Sequence, residues 1–127
     1  MPASATDALE EVRAELGDPR EWHGDARVVW SDLGYADGEP VAVHIRKRGR
    51  RYEIDDEGAA VAKARWFGAT EWEAVATDVV DAHDLNLNRR GVVFVPAVEG
   101  GPDLAWLAFR VARCSYAVHS ELLETLN

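Results

Sequence analysis

One cysteine in 127 residues excludes an intrachain disulfide and cannot supply a cysteine-rich zinc site. Long hydrophobic runs are also missing. The longest, Val92 to Val98, falls far short of the ~20 residues that cross a bilayer. The opening Met-Pro-Ala-Ser-Ala-Thr-Asp has neither the basic start nor the apolar stretch of a signal peptide, so a cytoplasmic protein is expected. No repeat, low-complexity tract or Gly/Ser/Pro-rich linker divides the chain, and its length fits one domain over residues 1–127. Basic residues are scarce, 14 Lys+Arg against 23 Asp+Glu, for a net charge of −9. Against these shortages stand 47% hydrophobic and 29% charged residues, a globular composition that excludes a disordered chain. A chain of this size closes a core without metal or disulfide.

The negative charge is segregated. Residues 1–43 carry 3 basic and 10 acidic groups, and residues 52–88 carry 2 and 9. Between them His44-Ile45-Arg46-Lys47-Arg48-Gly49-Arg50-Arg51 holds five basic groups and no acid. Nucleic-acid binding by the whole surface is disfavoured, because such affinity comes from neutralising phosphates with a basic face. A local contact stays open through Arg46, Lys47, Arg48, Arg50 and Arg51, joined by Arg89 and Arg90 at a second turn. The alternative for the same run is a solvated hairpin tip, paired in part with nearby acids.

Periodicity sets out the elements. Ala8, Val12 and Leu16 recur at helical spacing over Asp7 to Leu16, with Thr6 as cap and Gly17 as stop. From Arg27 the period becomes two. Val28, Trp30 and Asp32 alternate with Val29, Ser31 and Leu33. Asp37-Gly38 then turns the chain, and Val41, Val43 and Ile45 share a face. Gly49 permits a second turn before Tyr52 and Ile54. This predicts a three-stranded antiparallel meander. Asp55-Asp56-Glu57-Gly58 opens a helix over Ala59 to Trp66, stopped by Gly68. Thr70 and Glu73 form a capping-box pattern for a helix from Glu71 to His83, whose buried stripe is Trp72, Val75, Val79 and Val80. A hairpin follows, with Leu85 and Leu87 in one arm, Arg89-Arg90-Gly91 turning and Val92 to Val95 in the other. Pro96 is expected to confine that strand to an edge or an end. Pro102 and Asp103 start a long helix to about Thr125. Leu104, Leu107, Ala108, Val111, Ser115, Val118 and Leu122 form its stripe, widened by Trp106, Phe109 and Tyr116. An apolar arc this broad suits either a thick core or a dimer seam. The expected class is α+β in the order α-βββ-αα-ββ-α, an antiparallel sheet packed against helices.

In element order and size the chain resembles the small chaperones of type III secretion. A second likeness is local. Asp37-Gly38, the alternating strand after it, and Arg51-Tyr52-Glu53-Ile54-Asp55-Asp56-Glu57-Gly58 are similar to a domain family of bacteria and their phages without an assigned activity, in which a hydrophobic strand enters an Asp-Asp/Asn-Gly helix opening. Asp103-Leu104-Ala105 and Phe109-Arg110-Val111-Ala112 extend the likeness, and together these segments cover about two-thirds of the chain. Glu57, standing before Gly58, departs from the pattern. The resemblance implies relatives but no catalytic residues.

Each chemical motif has a plainer explanation. Asp55, Asp56 and Glu57 offer oxygen ligands but lack calcium-loop spacing, and helix capping accounts for them. The nuclease pattern of an Asp followed by Glu-x-Lys fails, since Val43-His44-Ile45-Arg46-Lys47 has no acid. Asp81, His83 and Asp84 read as a polar helix end. Cys114 and His119 are five residues apart and point away from a common face, so no Cys–His nucleophile pair is expected. His23 and His44 have no partner that the sequence can specify. Glu99-Gly100-Gly101-Pro102 has no Lys, and its neighbouring acids would repel phosphate. No nucleophile elbow or Rossmann fingerprint occurs. No catalytic residue, metal site or cofactor is therefore expected.

Surface chemistry remains. Five Trp exceed what a small core needs, and aromatic residues carry much of the energy at protein interfaces. Trp66-Phe67, at a helix junction, cannot both point into one core. The sequence therefore suggests a non-enzymatic protein-binding module, whether acidic adaptor, inhibitor, immunity-type or chaperone-like protein, with Trp66, Phe67 and Trp72 as contacts. It also suggests a homodimer and no membrane association. The competing reading is a nucleic-acid-associated accessory protein using adjacent basic tips at Arg46–Arg51 and Arg89–Arg90.

Overall fold

Why each segment adopts its element is seen most clearly at the turns. In the computed structural model, which describes residues 5–99 and 103–126, α1 spans Ala5–Leu16 and ends at Gly17, whose φ of +66° suits a residue without Cβ. The Thr6 side chain lies outside the described residues, as do Gly100, Gly101 and Pro102. A 3-10 turn at Pro19–Glu21 leads to β1 (Ala26–Gly34), β2 (Pro40–Arg48) and β3 (Arg51–Asp55). These pair antiparallel as the expected meander, with Val29 opposite Val43 and Ile45 opposite Ile54. Helices α2 (Ala59–Trp66) and α3 (Glu73–Ala82) follow, then the short β4 (Asn86–Leu87), β5 (Val93–Glu99) and α4 (Leu104–Glu124).

The five strands lie in the order β1-β2-β3-β5-β4. Val29, Val41, Val43, Ile45, Ile54, Val93 and Val95 face the core. Helix α4 crosses that face and touches β1, β2, β3 and β5, while α1, α2 and α3 pack around α4. Because α4 is enclosed on so many sides, ten of its residues are buried, including Cys114 and His119 beyond the expected stripe. Asp103 caps α4, its side chain accepting from the Trp106 N–H. The Glu15 carboxylate accepts the Trp30 N–H and so occupies a donor of the β1 edge.

One local expectation needs correction, and a second holds in one of its two forms. The Thr70–Glu73 capping box does not form: α3 starts at Glu73, with Trp72 at its N-cap position and no side-chain cap. The Thr70 N–H bonds instead to the Gly68 carbonyl in a bend that turns Trp72 inward. Pro96 does not end its strand, since β5 runs on to Glu99, but the edge alternative holds: β4 pairs with β5 at Val93 and Phe94, so at Pro96 β5 is paired with β3 on one side. The register between β3 and β5 shifts between Tyr52/Ile54 and their partners Val98/Val95, placing an extra residue on β5 where proline lacks a donor.

Candidate functional site

The polar residues of the β3–α2 junction converge inside the core. Asp56 is 1% exposed. Its Oδ1 accepts the Gly58 N–H at 2.8 Å and the Val93 N–H at 2.9 Å, and its Oδ2 accepts the Ser115 hydroxyl at 2.7 Å. Since the only Ser115 proton points at the carboxylate, the Tyr35 hydroxyl is the donor in its 2.7 Å bond to Ser115 Oγ. Burial raises the Asp56 carboxyl above its ordinary value, opposed by the bonds from Ser115, Gly58 and Val93, and burial likewise raises the Tyr35 phenol. His119 lies beside this chain of bonds. Its Nε2 accepts the Ala36 N–H at 3.0 Å, which leaves Nδ1 to donate to the Ala60 carbonyl at 3.1 Å. That pattern is the neutral imidazole.

This cluster contains Asp, Ser, His and Tyr, yet its bonds run among its own side chains and to the backbone of β5, α2 and the turns at Ala36 and Gly58. Among the described residues no buried side-chain polar atom is without a partner. Ser115 and His119 share no hydrogen bond, and Ser115 is wholly buried. The arrangement does the work of a joint: it ties β3, β5, α2 and α4 together at one point. Cys114, next in sequence to Ser115, is buried, and desolvation followed by the Asp56 charge pushes its thiol up to about 12. Among the described residues no group of three or more His, Cys, Asp or Glu could hold a metal ion. His83 is partly buried at the C-cap of α3, while Asp81 and Asp84 are exposed.

The candidate contact residues separate. Trp66 is 81% exposed, its ring centroid 5.2 Å from that of Phe67 at an 86° interplanar angle. Phe67 is 40% exposed and makes an edge contact with His119. It therefore roots the pair in the core while Trp66 projects outward. Trp66 and Phe67 line a cavity of about 380 Å³ with Ala62, Lys63 and Asp37, and Leu126 adjoins Gly68 beside them. Lys63 forms an ion pair with Asp37 and lies over the Tyr35 ring, so the polar wall of the cavity is internally neutralised. Trp72, expected with them, is 6% exposed and belongs to the core. Its ring is unavailable to a partner because the bend before α3 turns it inward.

The basic residues do not form a ridge. β3 runs antiparallel to β5, with Arg51 opposite Glu99 and Asp55 opposite Phe94. The β2–β3 turn carrying Arg48, Arg50 and Arg51 is therefore at one end of the sheet. The turn with Arg89 and Arg90 is at the other, beside Gly58. Four strand residues, ~13 Å, already separate those ends. Arg46 sits within β2, paired with Asp55 at 2.7 Å and with Glu57, and Arg48 pairs with Glu53 at 2.9 Å. Lys47 is half-buried, whereas Arg50, Arg89 and Arg90 are exposed.

Three further exposed aromatics, Trp30, Trp106 and Tyr116, were not among the residues the sequence singled out as contacts. The flank position of Trp106 and Tyr116 on α4 was a usable signal; that of Trp30 on a half-buried strand was not. Among the described residues no helix is long and apolar enough to cross a membrane. A scan of protein-family models, a search of curated proteins and a search of solved structures each find no match to this chain.

Proposed function

We propose that this protein is a non-enzymatic protein-binding module whose contact centre is Trp66 with Phe67. The observation that carries this reading is the exposure of Trp66, 81%, on a side chain that touches a ring anchored in the core. A tryptophan left in water forfeits burial of an area on the order of 200 Å², worth about 5 kcal/mol at ~25 cal/mol per Å². A partner that covers it recovers that energy. Held at the end of a helix by Phe67, the ring is oriented in advance, which lowers the cost of ordering it on binding. The net charge of −9 favours a basic partner and speeds its encounter. A second copy is the other occupant of the same patch, and light scattering at increasing concentration distinguishes a dimer from a monomer.

The test is parallel capture from an extract of the source cell on wild-type and Trp66→Ala baits, with protein and nucleic acid both identified in the eluates. A protein held by the wild type and lost on Trp66→Ala supports the reading. Eluates that do not differ remove it. The nucleic-acid reading has lost its continuous ridge and keeps only separate basic tips. A gel shift at ~50 mM salt that disappears on Arg50→Ala would restore it.

A further inference from the structure

The outward face of α4 forms the floor of a second surface, distinct from Trp66. Phe109, Arg113, Tyr116 and Ser120 follow one another at helical spacing, and Trp106 stacks on Phe109 at 5.7 Å between centroids. The Arg113 guanidinium lies 5.5 Å from the Phe109 centroid. One wall is Ala8 of α1 with Asp32 and Leu33 of β1; the other includes His83 at the end of α3. Arg110 donates to the His83 and Asp84 carbonyls at 3.1 and 3.3 Å, fixing that wall to the floor. The resulting open groove measures about 670 Å³. From Phe109 to Ser120 the floor extends ~17 Å at 1.5 Å per residue, the length of about three helical turns, and Trp106 adjoins its end.

Carboxylates outnumber cations at this groove. Asp32 and Glu121 line it, and Glu11 lines the small cavity that continues it beneath α1. None of the three carboxylates has an ion-pair partner among the described residues. Behind the α3 wall, residues 71–84 add Glu71, Glu73, Asp78, Asp81 and Asp84 and no Lys or Arg. Of the two cations at the groove, Arg110 donates to carbonyls and Arg113 lies over the Phe109 ring, so both are held in place and the three carboxylates outnumber them. We propose that this groove binds a basic amphipathic helix from a partner protein, its apolar residues seated on the exposed Trp106 and Tyr116, which the nearly buried Phe109 supports, and its Lys or Arg side chains reaching Glu11, Asp32 and Glu121. A helical occupant fits because the floor presents ridges at helical pitch. A second copy is a poor occupant, since its own α1 and α3 would set carboxylates against carboxylates.

The probe is a designed, fluorescently labelled helix of about 16 residues, with Leu at i, i+3, i+4 and i+7 and Lys elsewhere, titrated against the full chain. Its counterpart has Glu in place of every Lys. The account expects saturable binding of the Lys helix alone. It expects affinity to fall at least ~10-fold both in Trp106→Ala/Tyr116→Ala and in Glu11→Lys/Asp32→Lys/Glu121→Lys. Reversing Glu71, Glu73 and Asp78 changes net charge equally and should cost less than ~3-fold, and Trp66→Ala should cost nothing, so this site stands or falls apart from the Trp66 surface. Trp106 and Tyr116 are exposed, so these substitutions leave the core intact, which circular dichroism checks. Absence of binding, equal binding of the Glu helix, or equal losses from the two charge reversals would overturn the proposal.

Discussion

The two ends of α2 are a single 8-residue helix apart and have opposite characters. At its N-terminal end Asp56, a carboxylate, is sealed from water and its bonds are all made within the protein. At its C-terminal end Trp66, the most apolar-bodied of side chains, stands in solvent. Residue type alone would assign these places in reverse. The difference teaches that polar atoms here are spent on joining elements, whereas the unspent interaction energy lies on an aromatic surface. If that contrast is sound, substitutions at the first end change stability and those at the second change binding.

Asp56→Ala should give the largest loss of stability, about 3–5 kcal/mol. It leaves the Gly58 and Val93 N–H groups without their carboxylate acceptor and strands Ser115. Urea denaturation measures it, and a loss below about 1 kcal/mol would break the contrast. Gly91→Ala comes next, at about 2–4 kcal/mol. The new Cβ would lie 2.9 Å from Val61 Cβ and Cγ1 in the buried part of α2, at a φ of +83°. Tyr35→Phe removes only the terminal donor of the chain and should cost about 1 kcal/mol.

The pH dependence sharpens the same comparison. A carboxyl whose folded pKa lies above its unfolded value of ~3.9 stabilises the fold most when protonated. The Asp56 contribution is thus fully present below ~3.9 and is lost as pH rises through the higher folded value. Unfolding midpoints of wild type and Asp56→Asn, compared from neutral pH downward, should show the wild type gaining on the variant. Asp37 and Asp103 have the opposite sign, because hydrogen bonds from Lys63 and Arg13 depress their pKa values, so their contributions are lost as pH falls. Both occur in wild type and variant alike, and the comparison cancels them.

The meander was legible because alternation of Val41, Val43 and Ile45 with polar neighbours has one structural solution. The α4 stripe was legible for the same reason at period 3.6. The role of Asp56 was not, because its partners Val93 and Ser115 lie 37 and 59 residues away, and local capping explained the same residue equally well. The supposed basic ridge failed on strand order. Nothing in the sequence states that β5 joins β3 antiparallel, and that pairing sends Arg50 and Arg89 to opposite ends of the sheet. The periodicity of α3 already places Trp72 in a buried stripe, and its burial bears out that place and not the contact role also given to it.

Trp66→Ala should alter stability by less than about 0.5 kcal/mol, the smallest of these effects, since so little of the ring is covered. The most direct measurement is therefore the affinity of the captured partner for wild type and for this variant, by calorimetry on samples with matched unfolding midpoints. The account predicts at least ~30-fold weaker binding by the variant. Equal affinities at equal stability would contradict it.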